Sequence, residues 1–251
     1  MPSSIAVFGG DKFPKKQTPD DVILQPKTIY GVTKVFNELL GDYYRSKFGL
    51  DFRSLRYPGV ISSQKYAFNG TTDYSTEIFF HALEQQKYSC WLGKEQALPM
   101  IYIDDCIDAT IKFLKTPASQ LNRSTYNLAG ISFTPEMLVE QVQRLIPGVQ
   151  VSYDPCPTRS KIAAQWPMSI DDSAALADWG WKYDTTMYQL AKKILSNIDA
   201  EYKEGRTLVF EEEEHTSSDE LEPAFEAIAS QRTKNSPSKA TPLDGLNINM
   251  V

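Results

Sequence analysis

Three apolar segments between residues 4 and 57 follow one another in the order strand, helix, strand. Residues 4–8 form a continuous apolar run, which predicts a buried strand. Thr28 can cap the helix predicted at about 29–47, and residues 51–57 alternate like a second strand. The apolar face of that helix is formed by Val32, Val35, Phe36, Leu39, Leu40 and Tyr43. Successive strands joined by a crossover helix run parallel, so the sequence predicts an α/β fold built on a parallel sheet.

The same alternation of strands and helices continues to about residue 198. Residues 10–27 carry no periodicity and predict a loop. Further strands are predicted near 88–92, 100–103, 126–129 and 149–153, and further helices near 74–86, 104–114, 171–178 and 188–198, with another starting at Thr134-Pro135.

Composition excludes several classes of function. The 251 residues carry a net charge of −6 and no basic block, so neither nucleic acid nor an anionic membrane is an expected partner. No apolar run approaches the roughly 18–20 residues of a membrane span. Three cysteines and two histidines are widely scattered. They form no metal-ligand spacing, which argues against zinc-dependent dehydrogenases and Ser-His-Asp hydrolases and predicts free thiols in a reducing compartment.

A Tyr-x-x-x-Lys pattern is the strongest chemical signal in the chain. It occurs three times, as Tyr30/Lys34, Tyr43/Lys47 and Tyr188/Lys192. Any of these could be an ordinary pair on one helix face. Only Tyr30 begins a helix directly after a strand and loop that carry serine, at the edge of a parallel sheet where α/β proteins bind ligands.

Tyrosine, lysine and serine in this arrangement can move a proton. A phenol with a pKa near ~10 is a poor base at neutral pH, but an ammonium group one helical turn away favours the phenolate. A serine hydroxyl can donate to the substrate oxygen as charge develops there. Ser3 and Ser4 both suit this role, and only one of them can face the site on an alternating strand.

Three other segments have a structural and a functional interpretation. Residues 57–61, Tyr57-Pro58-Gly59-Val60-Ile61, are either a simple turn or a loop over a nicotinamide ring. The polar run Gly70-Thr71-Thr72-Asp73 is either a helix start or a binding segment for a small zwitterion. Trp166 is either a core residue or the wall of a substrate pocket.

These residues together resemble the extended short-chain dehydrogenase/reductase superfamily and, within it, the NAD-dependent threonine dehydrogenases of the short-chain type. The resemblance runs from residue 3 to about 198. It rests on many segments in the same order, namely 3–9, 28–34, 51–59, 70–74, 99–105, 126–129, 132–135 and 166–173.

The resemblance implies an enzyme that oxidises L-threonine to 2-amino-3-ketobutyrate with NAD. It implies catalytic roles for Ser4 (or Ser3), Tyr30 and Lys34. NAD would contact Tyr30, Lys34, Tyr57, Pro58, Gly59 and Ile61, and the substrate would contact Ser4, Gly70, Thr71, Thr72 and Trp166. It further implies a homodimer that uses the Tyr30 helix, no metal, and a mitochondrial location, with the cytoplasm as the alternative.

Two features depart from that family. No glycine-rich pyrophosphate loop precedes the first strand, and residues 199–251 are acidic and then Ser/Lys/Pro-rich. We therefore expect an incomplete Rossmann-type sheet with a small α/β substrate-binding part in residues 1–198, followed by a disordered tail. We expect a truncated chain, inactive and poorly folded alone, with a long apolar sheet edge exposed. The alternatives are a nucleotide-sugar epimerase or dehydratase, and a non-catalytic remnant that binds another protein.

Overall fold

The computed structural model describes residues 1–10, 12–66 and 69–210 of the chain. Its helices are α1 Ile29–Phe48, α2 Tyr74–Gln85, α3 Ile103–Lys115, α4 Pro135–Leu145, α5 Pro157–Ala163, α6 Ser173–Trp179 and α7 Met187–Asn197. Its strands are β1 Pro2–Ser4, β2 Ser54–Tyr57, β3 Gly59–Ile61, β4 Lys87–Cys90, β5 Leu98–Tyr102, β6 Thr125–Asn127, β7 Ile131–Phe133 and β8 Gln150–Tyr153. Short 3-10 helices lie at Ile5–Val7, Ala118–Gln120 and Ala200–Lys203.

Three small sheets organise these strands. The first has the order β1-β2-β6 and is parallel throughout, with Ser3 opposite Arg56 and Leu55 opposite Tyr126. The second has the order β3-β5-β7, with β3 parallel and β7 antiparallel to β5. The third pairs β4 with β8 in parallel. The predicted α/β class with parallel pairing is confirmed.

The first predicted strand is displaced. Residues 4–8 were expected to be extended, but β1 ends at Ser4 and Ile5–Val7 form a 3-10 helix. The Ser4 hydroxyl accepts a hydrogen bond from the Ala6 N–H at 3.2 Å and so caps this turn. On the partner strand, Tyr57 lies opposite Ser4 and is followed by Pro58, which has no N–H to continue the ladder.

The edge of the first sheet is not the long apolar edge that the sequence analysis expects. Among the described residues β1 pairs only with β2, and β1 consists of Pro2, Ser3 and Ser4. A three-residue edge that begins with proline and continues with two serines is neither long nor apolar. It is the kind of edge that disfavours pairing with other chains.

Residues 59–61 form a strand instead of the expected loop. Gly59 lies opposite Met100 in β5, and a Cβ built on Gly59 would stand 2.3 Å from the Met100 sulfur. A larger residue at position 59 would have to displace the Met100 side chain where β3 meets β5. Two short elements, β7 and α5, were not predicted. Structured chain also continues beyond the predicted boundary at 198, because Tyr202 packs edge-on against Phe80 with ring centroids 5.1 Å apart. The remainder of the predicted tail, 211–251, lies outside the described residues.

Helix α1 begins and ends where its sequence predicts. The Thr28 hydroxyl accepts from the Gly31 N–H at 3.1 Å, and Gly49 ends the helix with a φ of +69°. Only three residues of α1 are buried, namely Gly31, Glu38 and Gly41. Its outward face is apolar and exposed, with side chains that include Ile29, Val32, Phe36, Leu39 and Tyr43. No helix in the described part of the chain is long and apolar enough to cross a bilayer.

A buried ion pair joins α1 to the first sheet. Arg56 and Glu38 are 6% and 4% exposed, and two guanidinium nitrogens reach the carboxylate at 2.8 and 3.0 Å. The Ser3 hydroxyl donates to the same carboxylate. Arg56 also donates to the Asp20 carbonyl at 2.8 Å, and the Asn127 N–H donates to the Asp20 carboxylate at 2.6 Å. One charged pair thus fixes β1, β2, β6 and the 10–27 loop relative to α1.

The first prediction concerns this pair. Replacing Glu38 with Gln leaves a buried guanidinium without its counter-charge, and we expect the free energy of unfolding to fall by about 3 kcal/mol. The control is Glu84→Gln, which removes a carboxylate from a more exposed pair with Lys65, and there we expect a loss below about 1 kcal/mol. Urea unfolding of both variants measures the difference. Similar losses in the two variants would contradict the prediction.

Candidate functional site

The two candidate serines have different surroundings. The Ser3 hydroxyl is buried and donates to Glu38 inside the ion-pair network. Ser4 is partly exposed at the end of β1, and its hydroxyl accepts from Ala6 and retains its own proton as a donor. Of the two, only Ser4 combines accessibility with a free donor, which supports it as the serine of the candidate site.

Tyr30 and Lys34 lie together at the start of α1. The Lys34 ammonium is 5.3 Å from the centroid of the Tyr30 ring and donates to the Pro2 carbonyl at 2.8 Å. Tyr30 is 52% exposed, so its phenol is open to a ligand. Because Pro2 belongs to β1, the lysine connects the tyrosine to the strand that carries Ser4.

Gly31 allows α1 to approach the end of β1 closely. A Cβ built on Gly31 would stand 2.2 Å from the Ala6 carbonyl oxygen and 2.6 Å from Cβ of Pro26. No larger residue fits without moving the helix. This contact fixes Tyr30 next to the 3-10 turn that follows Ser4.

In the 57–61 segment, the side chains of Tyr57 and Ile61 are occupied by contacts within the protein. The Tyr57 hydroxyl is hydrogen bonded to the Thr110 hydroxyl at 2.7 Å on α3, and burial raises the pKa of Tyr57. The Ile61 side chain is fully buried. These two predicted cofactor contacts therefore have side chains engaged elsewhere, and Pro58-Gly59 is the part of the segment that lies at the strand end.

The Gly70–Thr72 segment lies against the same strand end. The Gly70 N–H donates to the Asp73 carboxylate at 2.7 Å, which closes a turn before α2 begins at Tyr74. A Cβ built on Gly59 would be 2.9 Å from Cγ2 of Thr72. The candidate substrate segment thus contacts the candidate cofactor segment directly.

Trp166 packs near the 3-10 turn that follows Ser4. It packs against a buried apolar cluster formed by Ile5, Val7, Phe8, Phe13 and Ile170. The 10–27 loop holds this region in place, because the Lys15 ammonium donates to the Gln165 carbonyl at 2.7 Å and Thr18 bridges to Ile170. Both predicted roles are compatible with this position, since Trp166 is core on one side and partly exposed on the other.

The fold therefore brings the predicted residues into two neighbouring groups. Tyr30 and Lys34 are joined to β1 and to the turn after Ser4 by the Lys34–Pro2 and Gly31–Ala6 contacts, Trp166 packs on the cluster that includes this turn, and Thr72 lies against Gly59 beyond the end of β2. Tyr57 and Ile61 follow the same strand but turn their side chains inward. In the described part of the chain, no group of His, Cys, Asp and Glu residues could hold a metal ion.

Two residues near the second group were missed by the sequence analysis. The Trp91 indole N–H donates to the Thr71 carbonyl at 3.2 Å, and the Arg159 guanidinium lies 4.3 Å from the Trp91 ring centroid. Trp91 follows a short strand and Arg159 lies on α5, which was not predicted. No local pattern connects positions so far apart, so only a tertiary structure could find this contact.

One protein-family model matches the first half of this chain. Residues 1–129 match the model described as the NAD dependent epimerase/dehydratase family. The chain belongs to this family. Family membership agrees with the parallel sheet and with the position of Tyr30 and Lys34 at its edge.

The names of individual relatives are more specific than the description of the family. A mitochondrial L-threonine 3-dehydrogenase from Bos taurus is 46% identical over 196 residues, which is 78% of this chain and 52% of the relative. The chain thus spans about half the length of that curated relative. An L-threonine dehydrogenase structure from Phytophthora infestans is 48% identical, has a TM-score of 0.77, and matches 80% of this chain and 64% of that one.

One solved relative bears on oligomeric state. A structure described as a monomeric L-threonine 3-dehydrogenase, from a metagenome, is 42% identical with a TM-score of 0.73, covering 78% of this chain and 63% of that one. The comparisons confirm the predicted resemblance to threonine dehydrogenases of the short-chain type. They do not favour the nucleotide-sugar alternative.

The second prediction concerns Gly31. Alanine is normally favoured over glycine in a helix by about 1 kcal/mol, but here its Cβ meets the Ala6 carbonyl. We expect Gly31→Ala to destabilise the chain by about 1–3 kcal/mol. Gly93→Ala is the control, since a Cβ at Gly93 has nothing within 4 Å, and we expect a change within about 0.5 kcal/mol. Urea unfolding decides, and a stabilised Gly31→Ala variant would show that α1 and the 3-10 turn are not in close contact.

Proposed function

We propose that this chain carries the catalytic and substrate-binding half of an NAD-dependent L-threonine 3-dehydrogenase. The observation that carries the proposal is that Lys34 lies over the Tyr30 ring and donates to Pro2, in the strand that ends at the partly exposed Ser4. The Gly70–Thr72 segment next to Gly59 supports it. The names of the relatives described above supply the substrate.

In this proposal three side chains act on the threonine hydroxyl. The Tyr30 phenolate takes the hydroxyl proton, and the Lys34 ammonium beside the ring stabilises the negative charge on the phenolate. The Ser4 hydroxyl donates to the substrate oxygen and holds it in place while the C–O bond becomes a carbonyl. The Cβ–H bond breaks, its two electrons leave as a hydride, and the product is 2-amino-3-ketobutyrate.

The described residues fit the nicotinamide end of NAD. Bound NAD would supply the acceptor for the hydride. Lys34 is partly exposed and its ammonium has further N–H donors beyond the bond to Pro2, as binding to a ribose hydroxyl requires. Tyr30 would share this ribose contact, and the Pro58-Gly59 backbone would lie against the nicotinamide. The side chains of Tyr57 and Ile61 would shape the strand end from inside.

The substrate proposal uses the Gly70–Thr72 segment and Trp166. Gly70, Thr71 and Thr72 would contact the amino-acid part of threonine, with a hydroxyl donor from the partly exposed Thr72, and Trp166 would form another wall of the pocket. A small zwitterion suits this segment because it needs short polar contacts in place of a long basic channel.

The third prediction tests the function. Because the sequence contains no glycine-rich pyrophosphate loop, we would join the chain to the dinucleotide-binding part of the Phytophthora infestans relative and measure NAD reduction with L-threonine. We expect turnover, and we expect Tyr30→Phe to reduce it at least about a hundredfold. Tyr43→Phe, which alters another Tyr-x-x-x-Lys pair on the same helix, should retain activity.

Two results would contradict the proposed function. One is turnover that survives Tyr30→Phe. The other is a folded fusion that ignores L-threonine but accepts UDP-sugars, which would restore the epimerase interpretation. The 251-residue chain without the added part is assayed in parallel, and we predict no turnover for it.

We also propose that the chain associates with a second copy through α1. The exposed residues Ile29, Val32, Phe36, Leu39 and Tyr43 are spaced alternately by three and four, the pattern of a helix that packs lengthwise on another helix. Exposed apolar patches of this kind mark interaction sites. The monomeric relative shows that dimerisation is not common to all similar enzymes.

The fourth prediction concerns this surface. Phe36 is 61% exposed, and we expect Phe36→Glu to convert a dimer to a monomer in light-scattering measurements. The control is Leu114→Glu on α3, which is 60% exposed but lies on a different helix and should leave the dimer intact. A wild-type chain that is monomeric at high concentration would refute the proposal.

The mitochondrion is the compartment we propose, on the name of the bovine relative, and cell fractionation tests it.

A further inference from the structure

We infer that Arg159 and Trp91 form a clamp that positions the Gly70–Thr72 segment for an amino-acid substrate. This inference rests on the proposed function and adds two positioning residues to it. Neither residue belongs to the predicted site.

The clamp is a chain of three contacts. The Arg159 guanidinium stacks over the Trp91 ring at 4.3 Å from its centroid. The Trp91 indole N–H donates to the Thr71 carbonyl at 3.2 Å, and Arg159 Nη2 lies 3.5 Å from the Asn69 carbonyl. The carbonyls of Asn69 and Thr71, on either side of Gly70, are thus both held by this pair.

Two further contacts hold the segment. Gly70 donates to the Asp73 carboxylate, and Thr72 packs against Gly59 so closely that a Cβ there would be 2.9 Å away. Thr71 itself is buried. The segment is therefore in contact with Gly59 through Thr72 and with the Trp91 indole through the Thr71 carbonyl.

Helix α5 connects this clamp to Trp166, the second residue proposed to line the substrate pocket. The Cys156 N–H donates to the Trp91 carbonyl at 2.9 Å just before α5 begins. At the end of α5, the Trp166 N–H donates to the Ala163 carbonyl at 3.1 Å. Arg159 and Trp166 are therefore carried by one short rigid unit. A movement of α5 would shift Thr71 and Trp166 together.

A planar guanidinium suits this position better than an ammonium group. It can stack flat on an indole while its edge points to a carbonyl oxygen, whereas a lysine ammonium is a compact point charge. The stacking also keeps Arg159 turned toward Trp91. We therefore assign it a positioning role and not direct contact with the substrate carboxylate.

The first experiment measures hydrogen exchange at the Gly70 and Asp73 amides in the 251-residue chain. Their N–H groups are bonded inside the turn, to the Asp73 carboxylate and the Gly70 carbonyl. We expect Arg159→Ala and Trp91→Phe each to accelerate this exchange about five- to tenfold, the loss of about one hydrogen bond. Trp91→Phe keeps an aromatic face but loses the indole donor.

The matched control is Arg144→Ala. Arg144 also stacks on an aromatic ring, that of Tyr188 at 4.8 Å, but it lies on α4. We expect this variant to leave exchange at Gly70 and Asp73 unchanged. Unchanged exchange in Arg159→Ala and Trp91→Phe, with the variants folded, would overturn the clamp whatever the activity of the enzyme.

The second experiment uses the active fusion described above. We expect Arg159→Ala to raise KM for L-threonine about five- to tenfold without changing KM for NAD or the melting temperature, and Arg159→Lys to behave like Arg159→Ala. Full rescue by lysine would show that charge alone matters and would overturn the stacking clamp. A wild-type fusion without threonine turnover would refute the proposed function, while the exchange measurement would still decide the clamp.

Discussion

The buried pair between Arg56 and Glu38 is the interaction on which the arrangement of this molecule depends. Ser3 donates to the carboxylate, and Arg56 reaches across to the Asp20 carbonyl. A buried ion pair is a weak source of stability, but it is costly to leave half-made, so it favours one geometry over others. Here that geometry places α1, β1 and β2 together. Tyr30 lies in the first turn of α1 and Ser4 is the last residue of β1. The buried Arg56–Glu38 pair therefore also holds the elements that carry these candidate catalytic residues in position.

Two close contacts at glycines also fix the relative positions of the helices and strands. Gly31 lets the first turn of α1 touch the Ala6 carbonyl, and Gly59 lets β3 lie against Met100 and Thr72. Both glycines save space and neither has a positive φ. A catalytic site needs its groups held within about half an ångström. In this chain the close contacts at the sheet edge and the polar network in the interior are the interactions that would fix the candidate site.

The candidate substrate segment is held by a different kind of contact. Thr71 and Thr72 lie on a turn, and turns are mobile unless something holds them. The contacts to this turn come from Trp91, directly after β4, and from Arg159 on α5, both distant in sequence. The same short helix leads to Trp166. The proposed clamp would thus hold the Gly70–Thr72 segment through residues that are distant from it along the chain.

The sequence by itself determined the α/β class, the bounds of α1 from its Thr28 cap and Gly49, and the candidate unit Tyr30/Lys34, because these depend on periodicity and spacing within a few residues. It misplaced the first strand, because β1 ends opposite Tyr57, where Pro58 follows the partner strand β2. It left Ser3 and Ser4 unresolved, because burial of Ser3 depends on Glu38 from α1. Tertiary structure alone decided these points and the Arg159–Trp91 contact, since each is made by residues that are distant along the chain.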